Sequence, residues 1–152
     1  MPGRSRLAND AWEALLTAHA EIMRRLAAED VWGEVSMREY DVLYTLSKCR
    51  GPIRLGELNR RVLLSQPALS RMVDRLVERG LVRREADSSD GRSVRLSLTE
   101  EGRAQQRQAG RPHALGVARR MKAALDDDEM VALRDLCRKL ATEREPAGGV
   151  RA

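Results

Sequence analysis

The hydrophobic period of this chain changes once within residues 65–98, and that change limits what it can fold into. In "SQPALSRMVDRLVERG" (65–80), Leu69, Met72, Val73 and Leu76 recur at i, i+3, i+4 and i+7, the spacing of one buried helical face. Ser65 suits the N-cap and Pro67 the first turn. Gly80 suits a left-handed C-cap. Directly afterwards the period drops to 2. "LVRRE" (81–85) reads as a strand, and "VRLSL" (94–98) alternates Val94, Leu96 and Leu98 with Arg95 and Ser97, a half-buried strand. "DSSDGRS" (87–93) between them is predicted as the long polar tip of a β-hairpin. Upstream, Leu55, Leu58 and Val62 share one face of a short helix over about 55–62, and "LLS" (63–65) supplies a turn. The predicted order is helix, turn, helix, hairpin.

The flanks read as helices. "MPGRSR" is predicted as a loose tail, with a first helix starting near Asp10, whose Glu13 stands at capping-box spacing. Trp12, Leu15, Leu16, His19, Ile22, Met23 and Leu26 stripe that helix, and "VWGEV" (31–35) breaks it. "SMRE" (36–39) is a second capping box, opening a helix with Tyr40, Leu43 and Leu46 that ends at Gly51-Pro52. Thr99 can cap the next helix, which Gly110 and Pro112 are expected to kink or interrupt. Asp126 with Glu129 opens the last helix, striped by Met130, Leu133, Leu136, Cys137 and Leu140; "PAGGVRA" is a tail. The chain has no phenylalanine and 3% aromatic residues, so its core must be aliphatic, which suits packed helices. The expected fold class is mainly α with a small β-hairpin wing.

Charge narrows the function. Residues 54–84 carry eight arginines against three acids, an excess equal to the whole chain's net +5. Such a balance points to nucleic acid, anionic membranes or acidic partners. The second helix of a helix–turn–helix can enter a DNA major groove. Its outward face would carry Gln66, Ser70, Arg71, Asp74, Arg75 and Glu78. Glutamine suits adenine, arginine suits guanine, and serine suits phosphate or base. The competing class is a winged-helix protein-interaction module that turns its basic face to an acidic partner. Cys49 and Cys137 form no CxxC pair, and His19 and His113 have no close cysteine, so no metal or cofactor is expected. No nucleophile–base pair or glycine-rich phosphate loop is found, so an enzyme is not expected. With no signal peptide and no bilayer-length apolar run, the expected location is cytoplasmic and no membrane partner is predicted.

The stretch "LGELNRRVLLSQPALSRMVDRLVERGLVRRE" (55–85), followed by "DSSDGRSVRLSLTEEG" (87–102), resembles the MarR family of transcriptional regulators over about residues 8–142. The resemblance implies a winged helix-turn-helix domain over 8–144, with a DNA-binding core at about 36–98. It implies dimerisation helices at about 10–28 and 100–143, with flexible tails at 1–7 and 145–152. The implied protein is a homodimeric repressor on a pseudo-palindromic double-stranded operator. Its DNA contacts are Arg54, Ser65, Gln66, Pro67, Ser70, Arg71, Arg75, Arg92 and Arg95. The family's wing motif is similar to Asp87-Ser-Ser-Asp90-Gly-Arg92 here, which implies Arg92 in the minor groove and Asp87 and Asp90 as braces. Ser89 departs from the arginine frequent in the family. Asp74 is expected to pair with Arg92 or Arg95 and set the wing's angle. A small anionic or aromatic effector is also implied, with Trp12, His19, Tyr40 and Asp41 as candidates to line its pocket. Interface packing is the alternative role for Trp12 and Tyr40.

Overall fold

The computed structural model describes residues 2–87 and 89–142, with only the backbone described at Pro2, Asp90 and Arg92. Its elements are α1 (Pro2–Ala27), α2 (Met37–Ser47), β1 (Ile53–Arg54), α3 (Leu55–Asn59), α4 (Gln66–Glu78), β2 (Val82–Asp87), β3 (Asp90–Leu98), α5 (Glu100–Ala124) and α6 (Asp127–Thr142). The strands form one antiparallel sheet in the order β1-β3-β2. The fold is mainly α with a small wing. The two-residue strand β1, which pairs Ile53 with Leu96 and Arg54 with Arg95, is an addition to the expected hairpin; two residues are too few to show a period.

Local chemistry explains most element ends. Ser36 Oγ accepts from the Glu39 amide at 3.1 Å, while the Glu39 carboxylate accepts from the Ser36 amide at 2.9 Å, a complete capping box. Asp126 and Glu129 repeat the arrangement at α6. Gly80, at φ 71°, stops α4: its amide donates to the Val77 carbonyl and that of Leu81 to the Leu76 carbonyl. Thr99 caps α5, its Oγ accepting from the Gly102 amide at 2.9 Å and donating to the Gly80 carbonyl at 2.6 Å.

Four expectations are corrected. Helix α1 starts at Pro2 rather than near Asp10, since proline is compatible with a first helical position, where no amide partner is needed. Helix α3 closes at Asn59, before Val62. Helix α5 runs uninterrupted through Gly110 and Pro112. Gly110 faces Tyr40, where an added Cβ would stand 3.1 Å from the phenol oxygen, so this glycine answers to packing rather than to a helix break. The hairpin strands also run further than expected, to the Asp87–Asp90 pair, so Gly91, Arg92 and Ser93 belong to β3. An irregularity between Ala86 and Asp87 shifts the register there, as a bulge does. The tail at 145–152 lies outside the described residues.

The chain divides into two compact units at Leu115. The core of the first is aliphatic. Leu43 (α2), Leu58 (α3), Leu69, Val73 and Leu76 (α4), Val82 (β2) and Leu96 (β3) have almost no exposed surface, and burying each such side chain favours folding by roughly 1.5–3 kcal/mol. In the second unit, α6 buries no residue: Leu136 and Leu140 are each 61% exposed.

Gly102, in the first turn of α5, packs on the backbone that leads into β2. A Cβ there would collide with the Leu81 carbonyl oxygen and approach the Leu81 Cα to 3.3 Å. Gly102→Ala therefore forces α5 off the strand, and overpacking of this kind costs roughly 1–3 kcal/mol. The expected result is a clearly lowered thermal midpoint by circular dichroism; an unchanged midpoint would contradict this packing.

Candidate nucleic-acid interface

Helix α4 turns Leu69, Met72, Val73 and Leu76 inward, which leaves Gln66, Arg71, Asp74 and Arg75 exposed on its other side. Ser65 and Pro67 are exposed at its start, and Ser70 is half-buried. Ser65 Oγ accepts from the Ala68 amide at 3.4 Å. A hydroxyl that accepts in this way keeps its own proton to donate. Asn59 Nδ2 donates to the Leu64 carbonyl at 2.8 Å, which ties α3 to the turn entering α4.

Three links hold α4 and the wing. Asp74 pairs with Arg84 of β2; of the two partners expected for it, Arg95 turns to Asp87, and the Arg92 side chain lies outside the described residues. Strand β2 packs against α4, which brings the Arg84 guanidinium to Asp74. At the other end, Arg79 donates to the Glu34 carbonyl at 2.6 Å and to the Glu39 carboxylate at 3.2 Å, fastening the α4 C-terminus to the start of α2.

The third link is Asp87. Its side chain is 1% exposed. Arg54 donates to Oδ2 through Nε at 3.1 Å and Nη2 at 2.7 Å. Arg95 Nε lies 3.2 Å from the same oxygen, as an ion pair rather than an aligned hydrogen bond. Ser89 donates to Oδ1 through its amide at 3.1 Å and its hydroxyl at 2.8 Å. The serine at the family's arginine position thus closes the wing turn on Asp87. The Arg54 guanidinium first, then the Ser89 donors, hold the Asp87 carboxyl well below the usual carboxylate range. Arg54 and Arg95 therefore brace the wing while their side chains stay about half exposed. The side chains of Asp90 and Arg92 lie outside the described residues.

A separate cavity of about 600 Å³ opens between α1, α2 and the 61–64 turn. His19 and Asp41 line it, with Arg38, Tyr44 and Arg61. The other two pocket candidates are elsewhere. Trp12 is 59% exposed and does not reach the cavity. Tyr40 is buried in an aromatic cluster, its ring centroid 5.4 Å from Trp32, 5.8 Å from Tyr44 and 5.2 Å from His113. Burial raises the Asp41 pKa, against the opposing charge of His113. Arg38 and Arg61 escaped sequence reasoning because arginines are abundant throughout this region.

The described residues include no cluster of three or more His, Cys, Asp or Glu side chains able to hold a metal ion, and no described helix is long and apolar enough to cross a membrane. Cys49 Sγ donates to the Thr45 carbonyl at 3.3 Å, and Cys137 is exposed.

Residues 35–94, from the approach to α2 through the wing, match the family model described as "MarR family". Over these residues the chain carries a MarR family domain. Its relatives there are transcriptional regulators, not enzymes. It is 31% identical to the HTH-type transcriptional repressor MdtR of Bacillus subtilis over 106 residues, 68% of this chain and 66% of that one. A cysteine-to-serine mutant of MarR from E. coli, solved with operator DNA, superposes with a TM-score of 0.73. That pair is 27% identical over 84% of this chain and 91% of that one. PcaV of Streptomyces coelicolor, solved with its natural ligand, gives 0.65 at 28% identity over 86% and 89%. The chain spans between 43% and 66% of the length of the curated MarR-type relatives it matches.

The Asp87 brace carries a pH signature. Its pKa is depressed on folding, so its stabilisation is full above the unfolded value of about 4 and is lost as pH falls below it. Asp87→Asn is expected to lower the thermal midpoint at pH 7, with the gap to the parent narrowing in acid. A gap that stays constant down to about pH 2 would exclude the brace.

Proposed function

We propose that this protein is a sequence-specific double-stranded-DNA-binding transcriptional regulator, a homodimer that represses by occupying a pseudo-palindromic operator. One observation carries the reading: an exposed face with Gln66, Arg71 and Arg75 on a helix tied by ion pairs to a braced wing. The likeness to the repressor MdtR and to a MarR protein solved with operator DNA supports it. In this reading Gln66, Ser70, Arg71 and Arg75 meet base edges and phosphates in the major groove, and Arg92 enters the minor groove. Such a role implies a cytoplasmic protein. Dimerisation is favoured by the apolar surface that each end of the chain leaves uncovered: Leu7 and Trp12 on α1, Leu136 and Leu140 on α6. A twofold dimer would set two recognition helices about one DNA turn apart.

The α1–α2 cavity suits a small aromatic or anionic effector. Arg38, Arg61 and His19 offer donors, Tyr44 offers a ring, and Met23 and Leu63 offer apolar walls. An effector releases DNA only if it binds one state of the dimer more tightly than the other.

In gel shifts against fragments of its own promoter region, binding should favour some fragments and weaken steeply between about 50 and 200 mM salt. Arg71→Ala should relax discrimination at one base position by roughly 1–3 kcal/mol. Salt-independent binding, or no preferred fragment, would sink the operator reading. For the cavity, benzoate should raise the thermal midpoint of the parent and not of Arg38→Ala. An equal rise in both would remove the pocket from the account.

A further inference from the structure

β1, α3 and the middle of β3 enclose a second concave surface, a groove of about 640 Å³. Arg54, Arg60 and Arg95 line it together with Ile53, Leu55 and Val94. Its charge balance is positive. Arg54 and Arg95 both reach one carboxylate, Asp87, and line the groove side by side. The acid in the lining, Glu57, is engaged by Arg61 at 2.8 Å. Arg60 is exposed, and its Nε makes a long contact to the Gly56 carbonyl at 3.4 Å.

The position of the groove matters as much as its charge. Its β3 wall, Ser93 to Arg95, follows directly on the hairpin end at Asp90, three residues or about 10 Å along the strand. Its other wall, α3, is the first helix of the helix–turn–helix and packs against α4. The groove therefore adjoins both the hairpin, through β3, and the helix–turn–helix, through α3. A duplex engaged by both elements would bring its sugar–phosphate backbone close to this strip.

We propose that the groove seats a backbone phosphate of double-stranded DNA, and that Arg60 is the side chain that closes on it. Arg54 and Arg95, anchored by Asp87, present the fixed charge, and Arg60 supplies the adjustable one. The inference rests on the DNA-binding reading and adds a contact that positions the duplex without reading its sequence. A flat, solvated basic surface would give no single side chain this weight.

The test is fluorescence anisotropy of the full chain on two labelled duplexes, one carrying the preferred sequence and one scrambled, from about 50 to 200 mM salt. Arg60→Ala should weaken both by on the order of tenfold. Its slope of log affinity against log salt should be shallower by about 0.9, the value of one lost phosphate contact. Arg60→Lys should keep the parent slope, and the thermal midpoints of all three proteins should agree. Parent-like affinity and slope in Arg60→Ala overturn the groove while leaving the DNA reading intact. So does a loss confined to the preferred duplex, which would make Arg60 a base reader. A parent that binds neither duplex removes the DNA reading, and this proposal with it.

Discussion

One carboxylate, Asp87, is the only buried charge among the described residues, and four pieces of chain meet on it. It belongs to β2, takes Arg54 from β1 and Arg95 from β3, and closes the turn through Ser89. Burying a charge is expensive unless it is paired and hydrogen-bonded. Here both oxygens have donors, so the burial penalty is met only in the native register. A slip of β3 by one residue would turn Arg95 to the opposite face of the sheet. The carboxylate therefore specifies which residues pair, and the wing inherits its direction from that pairing.

Around this point the molecule places its positive charge with little freedom. Arg84 is held by Asp74, Arg79 by Glu39 and a backbone carbonyl, and Arg54 and Arg95 by Asp87. The exposed pairs contribute little stability individually. Their effect is geometric: α4, β2 and the start of α2 are fixed relative to one another before any partner arrives. A recognition surface ordered in advance loses less conformational entropy on binding than one built from mobile arms.

Much of this was legible in the sequence, because the signals were periodic or local. The Leu69-Met72-Val73-Leu76 stripe, the Ser36/Glu39 and Asp126/Glu129 boxes and the Gly80 stop each occupy a few neighbouring residues, and each appears in the structure. What failed needed information from far along the chain. The partner of Asp74 depends on which face of β2 meets α4. Tyr40 joins Trp32 and His113 because α5 passes continuously beside α2, where Gly110 and Pro112 had suggested a kink or an interruption. β1 is too short to leave a period, yet it brings Arg54 to the wing. Of the four residues expected to line an effector pocket, His19 and Asp41 share one cavity. Trp12 was not separable from it, since an aromatic residue on an apolar stripe has the same signature whether it lines a cavity or faces outward.

The contact between Gly102 and the Leu81 carbonyl has a mechanical meaning. Most helix–strand contacts pass through side chains, which can change rotamer and absorb a small displacement. Here backbone meets backbone, and Thr99 bridges the same spot to Gly80. The joint has no backlash. The first turn of α5, the stop of α4 and the root of the wing thus meet at one joint, with no flexible side chain between Gly102 and Leu81 to take up a displacement.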